Sequence, residues 1–534
     1  MLRSVRFERN DLALSAADRL LRPREGSLAL TQNLSDPIAS DTASRRCSVI
    51  RDTLIREGLY DASCQNGVED SGRPDAAMTA WRVGPAPFLL SSEQVAFFRS
   101  LGRDLLAFYR ALNRLYFDSA RGTQPAWAAG YLDQGKPESL ITFGRMKRFR
   151  DSLPAVIRPD VIPTQDGVVI TELDSVPGGI GLTACLSQVY ADLDRSPGQS
   201  SAGSRQPAAA SDQRWEIVGG RDGMLDGFGS MLRALQGTTP GCVAIVVSEE
   251  ARDYRPEMQW IAARLRERGF DISCIEPRQV RFTEEGLRLA DEAGEHPIAL
   301  IYRFFELFDL KNIPKVELVM YSAKKGRVIV TPPFKPALEE KLAFALLHHP
   351  VLAPFWRREL GEETYGSLSA LMPRTWILDP APVPPTAVIP DLVFGGRAVN
   401  DWRELAAAGQ KERQYVVKPS GFSELAWGSR GVAVGHDLSQ SDWAAALDRA
   451  LAAFPTTPYV LQEFHKGRLF ELSYFDPATD AVVPMSGRVR LSPYYFVTGD
   501  QAELAGILAT VCPSDKKLIH GMRDAIMLPC AVPL

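Results

Sequence analysis

Ile157-Arg158-Pro159-Asp160-Val161-Ile162 is followed by Gln165-Asp166-Gly167 and then by Val168-Val169-Ile170-Thr171-Glu172-Leu173-Asp174. Two β-rich runs on either side of an Asp-Gly step are a short-range signature of a hairpin. Side chains alternate along a strand, so Glu172 and Asp174 project from one face, as do Arg158 and Asp160. In a suitable register three carboxylates and one guanidinium converge. Hard oxygen donors suit Mg2+ where it bridges a polyphosphate, and an arginine would meet phosphoryl oxygens. A solvated face carrying ordinary salt bridges is the alternative reading of the same residues.

Three segments further along bear on that choice. Ser175-Val176-Pro177-Gly178-Gly179-Ile180-Gly181-Leu182-Thr183 is a Gly-rich turn that lets backbone approach a ligand or cap a following helix. Thr331-Pro332-Pro333-Phe334-Lys335-Pro336-Ala337-Leu338-Glu339-Glu340-Lys341-Leu342 reads as a strand end entering a Pro-started helix. It offers Lys335 and Lys341 as point charges for phosphate, or simply as surface lysines. The most informative segment is Gln414-Tyr415-Val416-Val417-Lys418-Pro419-Ser420-Gly421-Phe422, which leads to Trp427-Gly428-Ser429-Arg430-Gly431-Val432-Ala433-Val434. A strand delivers a lysine, a loop with small residues follows, and a second strand starts after Arg430-Gly431. Loop N–H groups could wrap phosphates while Lys418 reaches an oxygen. It is not a Walker A loop, which needs Gly-x-x-x-x-Gly-Lys-Ser/Thr. Tyr459-Val460-Leu461-Gln462-Glu463-Phe464 reads as another buried strand, with Gln462 or Glu463 placed to read an adenine amino group or a ribose hydroxyl. Arg488 and Arg490 alternate with apolar residues, so they share one side of a strand, facing either the site or solvent.

Taken together, Lys418-Pro419, the loop ending Arg430-Gly431-Val432 and the Gln462-Glu463 strand end resemble the nucleotide half of ATP-grasp enzymes. Arg158-x-Asp160 with Glu172-x-Asp174 and its Pro-Gly turn resembles the magnesium hairpin of the circularly permuted, glutathionylspermidine synthase-like group. Residues 332–342 resemble that group's helix start. The carboxylates precede the lysine strand, which is the permuted order. Four short segments carry the match, which runs roughly from residue 88 to the carboxyl terminus. The resemblance implies a mixed α/β (α+β), ATP-grasp-like fold with permuted order, plus a small parallel α/β domain of the pre-ATP-grasp type.

It further implies ATP and Mg2+ as cofactors. Asp160, Glu172 and Asp174 would hold metal, and Arg158 and Lys341 would contact the transferred phosphoryl group. Lys418 would meet the α/β-phosphates, with Lys335, Ser420, Gly421, Arg430 and Gly431 in the phosphate-binding segments and Gln462 and Glu463 at the nucleoside. The activity implied is ATP-dependent ligation of a carboxylate to an amine through an acyl phosphate, with peptide- or polyamine-like substrates. Two departures stand out. Asp174 occupies a position where the group typically has asparagine, and Phe422, Leu425 and Trp427 make the phosphate loop bulky. No cysteine amidase domain is evident. The bulky loop motivates a second reading, a catalytically inactive nucleotide-binding scaffold.

Around these segments the chain organises as follows. Apolar positions from 91 to 120 recur at three and four, which predicts a long amphipathic helix whose aromatic stripe is core. Residues 195–214 are rich in Ser, Gly, Ala, Gln and Pro and read as a flexible insert. Between 241 and 332 strand, helix and strand alternate, with runs at 242–247, 270–275, 296–303 and 328–330 around a helix at 257–268. That pattern predicts a small parallel unit. A nicotinamide site there is disfavoured, because no Gly-x-Gly-x-x-Gly follows the first strand. The expected division is 1–84 of unknown role, 85–239 as the metal-binding part, 240–332 as the small α/β domain and 333–534 as the nucleotide-binding part.

Length and composition agree with that picture. The chain has 534 residues, 45% hydrophobic and 24% charged, enough for two to four ordinary globular domains at roughly 150 residues each. With 61 basic and 65 acidic side chains the formal charge is −4, which argues against a duplex-binding protein; small-molecule carboxylate and amine substrates are the partners that the resemblance implies. Seven scattered cysteines without a Cys-x-x-Cys pair support neither a disulfide framework nor a structural zinc site. Cys512 and His520 have no catalytic partner in sequence reach and read as structural. No run approaches the ~18 apolar residues of a membrane span, and the amino terminus lacks a signal-peptide core, so a cytoplasmic location is expected.

Overall fold

The computed structural model describes residues 40–60, 81–193 and 214–534, except 292, 293, 385, 386, 517, 518 and 520–523. The first 39 residues, the insert expected at 195–214 apart from its last residue, and His520 therefore lie outside the described residues.

The Asp166-Gly167 turn does close a hairpin. Strand Val156–Pro163 pairs antiparallel with Val168–Asp174, with Arg158 opposite Asp174 and Asp160 opposite Glu172, and a bulge follows Asp160. This is the register that puts all four charged side chains on one face. The hairpin forms the edge of an eight-stranded sheet. Long antiparallel strands Ala481–Thr498 and Gln501–Pro513 make its centre, and Ile526–Pro533 continues it to Phe88–Leu89. The carboxyl-terminal strands thus pair alongside a hairpin that lies more than 300 residues earlier in the chain.

A long helix, Ser92–Ala120, packs on this sheet. Ser91 caps it, exchanging hydrogen bonds with Gln94 in a capping box. Its apolar stripe, including Leu101, Leu105, Phe108, Leu112 and Leu115, is buried. Gly102 is required there, because a Cβ would come within 2.5 Å of the Ala502 carbonyl on the sheet.

The alternating segment folds as a small α/β layer. Strands Ile272–Ile275, Cys242–Val247, Gly294–Phe304 and Ile329–Thr331 run parallel, with helix Arg255–Glu267 between the first two strands in the chain. Leu287–Asp291 and Val280–Phe282 extend the sheet antiparallel. Cys242–Val247 is buried at every position, as a central parallel strand must be.

A third sheet of four antiparallel strands has the order Thr375–Ile377, Tyr459–Glu463, Tyr415–Pro419, Ala433–Val434. It carries Lys418 and Gln462. The helix expected to start at Pro336 is interrupted: a 3-10 turn at Pro336–Leu338 and an irregular Glu339-Glu340-Lys341 step precede helix Leu342–His348. The interruption arises because Glu339 and Glu340 turn inward to buried cations. Glu339 pairs with Arg303, and Glu340 meets Lys136 at 2.6 Å. No helix among the described residues is long and apolar enough to cross a membrane.

Candidate functional site

Asp160 is the most enclosed carboxylate of the hairpin. Arg158 Nη2 lies 3.2 Å from it and 3.0 Å from Asp174, so one guanidinium bridges the two acids. The neighbouring strand adds Arg490 Nη1 at 3.2 Å and the Ser492 hydroxyl at 3.3 Å. Burial alone would raise the Asp160 carboxyl, but Arg158, Arg490 and Ser492 hold it below the usual range. Asp160 therefore stays an anion inside the sheet edge.

The lysine strand meets this hairpin directly. Lys418 Nζ donates to the Thr171 carbonyl at 3.1 Å and to Gln462 Oε1 at 2.7 Å, while Gln462 Nε2 donates to the Thr375 hydroxyl at 3.1 Å. Lys341 pairs with Glu172 at 2.7 Å. Burial pushes the Lys418 amine down to about 8, opposed by Glu172 and Asp160 and reinforced by Lys341. Lys341, Lys418 and Glu172 thus border one cavity of about 570 Å³. Asp160, Glu172, Lys341, Lys418, Gln462 and Glu463 all line it, and Arg488 and Arg490 both face it. Its volume and charge suit a nucleoside polyphosphate.

The donor chemistry fits Mg2+ in a narrower form than the sequence implies. Asp160 and Glu172 face each other across the strands and border the same cavity. Mg2+ commonly takes one or two carboxylates and completes its shell with phosphates and water, so this pair fits. Among the described residues no set of three or more His, Cys, Asp or Glu is arranged to hold a metal. Asp174 does not join the pair in the nucleotide-sized cavity. It binds Arg158 and accepts the Val176 N–H at 2.8 Å.

Five other residues expected at the phosphates also fall elsewhere. The Lys335 ammonium is buried away from the cavity, donating to Asn113 and to the carbonyls of Phe149, Arg150 and Ser152. Ser420 and Gly421 do not present free donors to a phosphate, because the Ser420 hydroxyl (2.6 Å) and the Gly421 N–H (3.3 Å) both go to Glu340. Gly431 is a packing glycine, its Cα facing Pro419 and Leu425 where a Cβ would lie about 3 Å from each. Arg430 is exposed, 3.6 Å from Glu250, and faces a second cavity. The Gly178-Gly179 turn is likewise closed from within. Glu257 accepts the Gly179 N–H at 2.7 Å and the Leu182 N–H at 3.0 Å, capping helix Ile180–Leu193.

The second cavity, about 330 Å³, adjoins the first and shares Asp160, Glu172 and Arg490 with it. Arg158, Asp174, Tyr254, Glu306, Trp427 and Thr510 also line it.

No protein-family model matches the sequence, and no curated protein does. Among solved structures, a glutathione synthetase-like effector from Globodera pallida in its apo form superposes with a TM-score of 0.53 at 11% identity, over 92% of this chain and 96% of that one. The fold is ATP-grasp-like. A candidate gamma-glutamylcysteine synthetase from Methylobacillus flagellatus gives a TM-score of 0.35 at 9% identity, over 83% of this chain and 89% of that one.

Several residues of this neighbourhood carry no signal in the sequence reading. Glu340, Glu257 and Lys136 act through partners about 75 residues or more distant, which no local pattern records. Glu306 had a usable cue: it follows an apolar run, and residues at the carboxyl ends of parallel strands commonly line ligand sites.

Proposed function

We propose that the chain is an ATP-dependent ligase joining a carboxylate to an amine through an acyl phosphate, with the permuted segment order of the glutathionylspermidine synthase-like group. One observation carries the reading. Lys418 donates to the Thr171 carbonyl, although 247 positions separate them, so the cationic strand and the carboxylate hairpin border one polyphosphate-sized cavity. The chemistry asks mainly for positioning and charge neutralisation. Lys418 and Lys341 would draw phosphate oxygens to the wall formed by Asp160 and Glu172. Arg158 and Arg490 hold cationic charge at the same wall, where negative charge builds as the γ-phosphoryl moves to the substrate carboxylate. Mg2+, when bound, supplies a Lewis acid at the phosphates, and Asp160 and Glu172 are the residues that would hold it.

The test is ADP release against pooled acids and amines, with products identified by mass spectrometry. Asp160→Asn and Glu172→Gln are expected to lower ADP release by on the order of 10²-fold or more, with circular dichroism unchanged. Undiminished turnover in both variants would remove the metal assignment.

A second reading, a nucleotide-binding scaffold without catalysis, draws on one observation. The donors of Ser420 and Gly421 are already committed to Glu340, which leaves the phosphate loop fewer free groups. Calorimetric ATP binding without ADP formation across a broad substrate panel would favour it.

A further inference from the structure

The small parallel sheet contributes to chemistry that the nucleotide cavity does not use. The turns that follow Cys242–Val247 and Gly294–Phe304 open into the second cavity, bringing Glu250 and Asp253 from one and Glu306 and Asp309 from the other. Carboxyl ends of adjacent parallel strands are a recurrent ligand position. Opposite this acidic side stand Arg158 and Arg490 of the hairpin wall. Arg158 is held by Asp160 and Asp174, and Arg490 by Asp160, so much of their charge is already met. Glu306 is different: among the described residues no donor or cation lies within bonding distance of its carboxyl group, and burial beside Glu339 and Asp174 pushes that group up to about 8, against the more distant Arg303 and Lys341, so a bound cation is what would hold it as a carboxylate.

A second feature points to a ligand. Thr510 is 1% exposed and lines the cavity, and its hydroxyl has no partner among the described residues. A buried hydroxyl left without a bond costs stability, so one aimed into a cavity marks a group waiting for a ligand atom. Tyr254 and Trp427, with ring centroids 6.1 Å apart, add aromatic faces that favour a cation.

We propose that this second cavity is the acceptor site and takes a small primary amine as its ammonium, held by Glu306. The assignment rests on the ligase reading. It adds the side from which the nucleophile approaches: the bound ammonium would pass a proton to Glu306, and the freed amine would attack the acyl carbon beside the shared residues Asp160, Glu172 and Arg490, forming the C–N bond as inorganic phosphate leaves. At about 330 Å³ the cavity sits at the small end of ligand sites, so the acceptor is compact.

The test uses the full chain and keeps the two ideas separate. Propylamine, fully protonated at neutral pH, is titrated by calorimetry into the wild type, Glu306→Gln and Asp309→Asn, with propanol as the uncharged control. Propylammonium is expected to bind the wild type and propanol not to bind. The affinity should fall about tenfold or more in Glu306→Gln and less in Asp309→Asn. In parallel, acid-dependent ADP release is followed with hydroxylamine, a neutral nucleophile that does not need the ammonium subsite. Hydroxamate formation should survive in Glu306→Gln. No hydroxamate from the wild type overturns the ligase reading and the acceptor role with it. Normal hydroxamate formation beside unchanged propylamine affinity in Glu306→Gln overturns the cavity assignment alone.

Discussion

Lys335 is 2% exposed beneath the long helix, with its four acceptors drawn from Asn113 and the 149–152 turn. Removing the amine leaves Asn113 Oδ1 and the Ser152 carbonyl without this donor, while the Phe149 and Arg150 carbonyls keep the Ser152 N–H and Asn113 Nδ2. Lys335→Met is therefore expected to destabilise the fold by roughly 2–4 kcal/mol in denaturant unfolding, with ATP affinity by calorimetry unchanged. A loss of affinity without a loss of stability would return Lys335 to the nucleotide. Six positions on, Lys341 points the other way, to Glu172. A Pro-rich step with two lysines has no local feature that says which one meets a phosphate. Burial decides it, and burial is set by the helix packed above.

Two loops have the glycines of an anion cradle, and each is closed by a carboxylate of the chain itself. Glu257 caps the helix after Gly178-Gly179, and Glu340 takes the donors of Ser420-Gly421. Glycine is needed at the first turn for close approach, since a Cβ on Gly181 would lie 2.3 Å from the Glu257 carbonyl. Burial pushes the Glu257 carboxyl up to about 7, against the pull of the backbone N–H groups of Gly179, Leu182 and Gly181. The unfolded chain releases that proton near the ordinary glutamate value of 4.5. A raised carboxyl contributes stability below 4.5 and loses it as pH rises through 7. The wild type should thus lose stability between pH 5 and pH 8, and Glu257→Gln should flatten that slope. The variant is also expected to cost about 1–2 kcal/mol, because one of the two N–H donors loses its acceptor. Equal pH dependence of the stability from urea unfolding in the wild type and Glu257→Gln would show that Glu257 does not titrate in that window.

Across the whole molecule, the eight-stranded and four-stranded sheets meet at Lys418 and Thr171, and the two cavities share one wall. A nucleotide bound where those sheets meet would stabilise only the folded arrangement. Mg2+ with ATP at about 100 times its dissociation constant should add roughly 2.7 kcal/mol and raise Tm by a few degrees. The gain should shrink when a chelator removes Mg2+, and an identical shift with and without chelator would speak against the Asp160–Glu172 pair.

The hairpin at 156–174, the long amphipathic helix and the parallel alternation between 241 and 332 were determined by the sequence itself. Each follows from a turn dipeptide or a periodicity that acts over a few residues. The same local reasoning placed Lys418 on a strand and the four charged side chains of the hairpin on one face. Tertiary structure alone decided that Lys341 rather than Lys335 reaches the hairpin, that Asp174 serves Arg158, and that Glu340 and Glu257 occupy two glycine turns. Those outcomes depend on which buried charges find partners, and the partners come from segments brought together only when the sheets close. A charge leaving water must be compensated by whatever neighbour the fold supplies, and sequence distance does not record that neighbour.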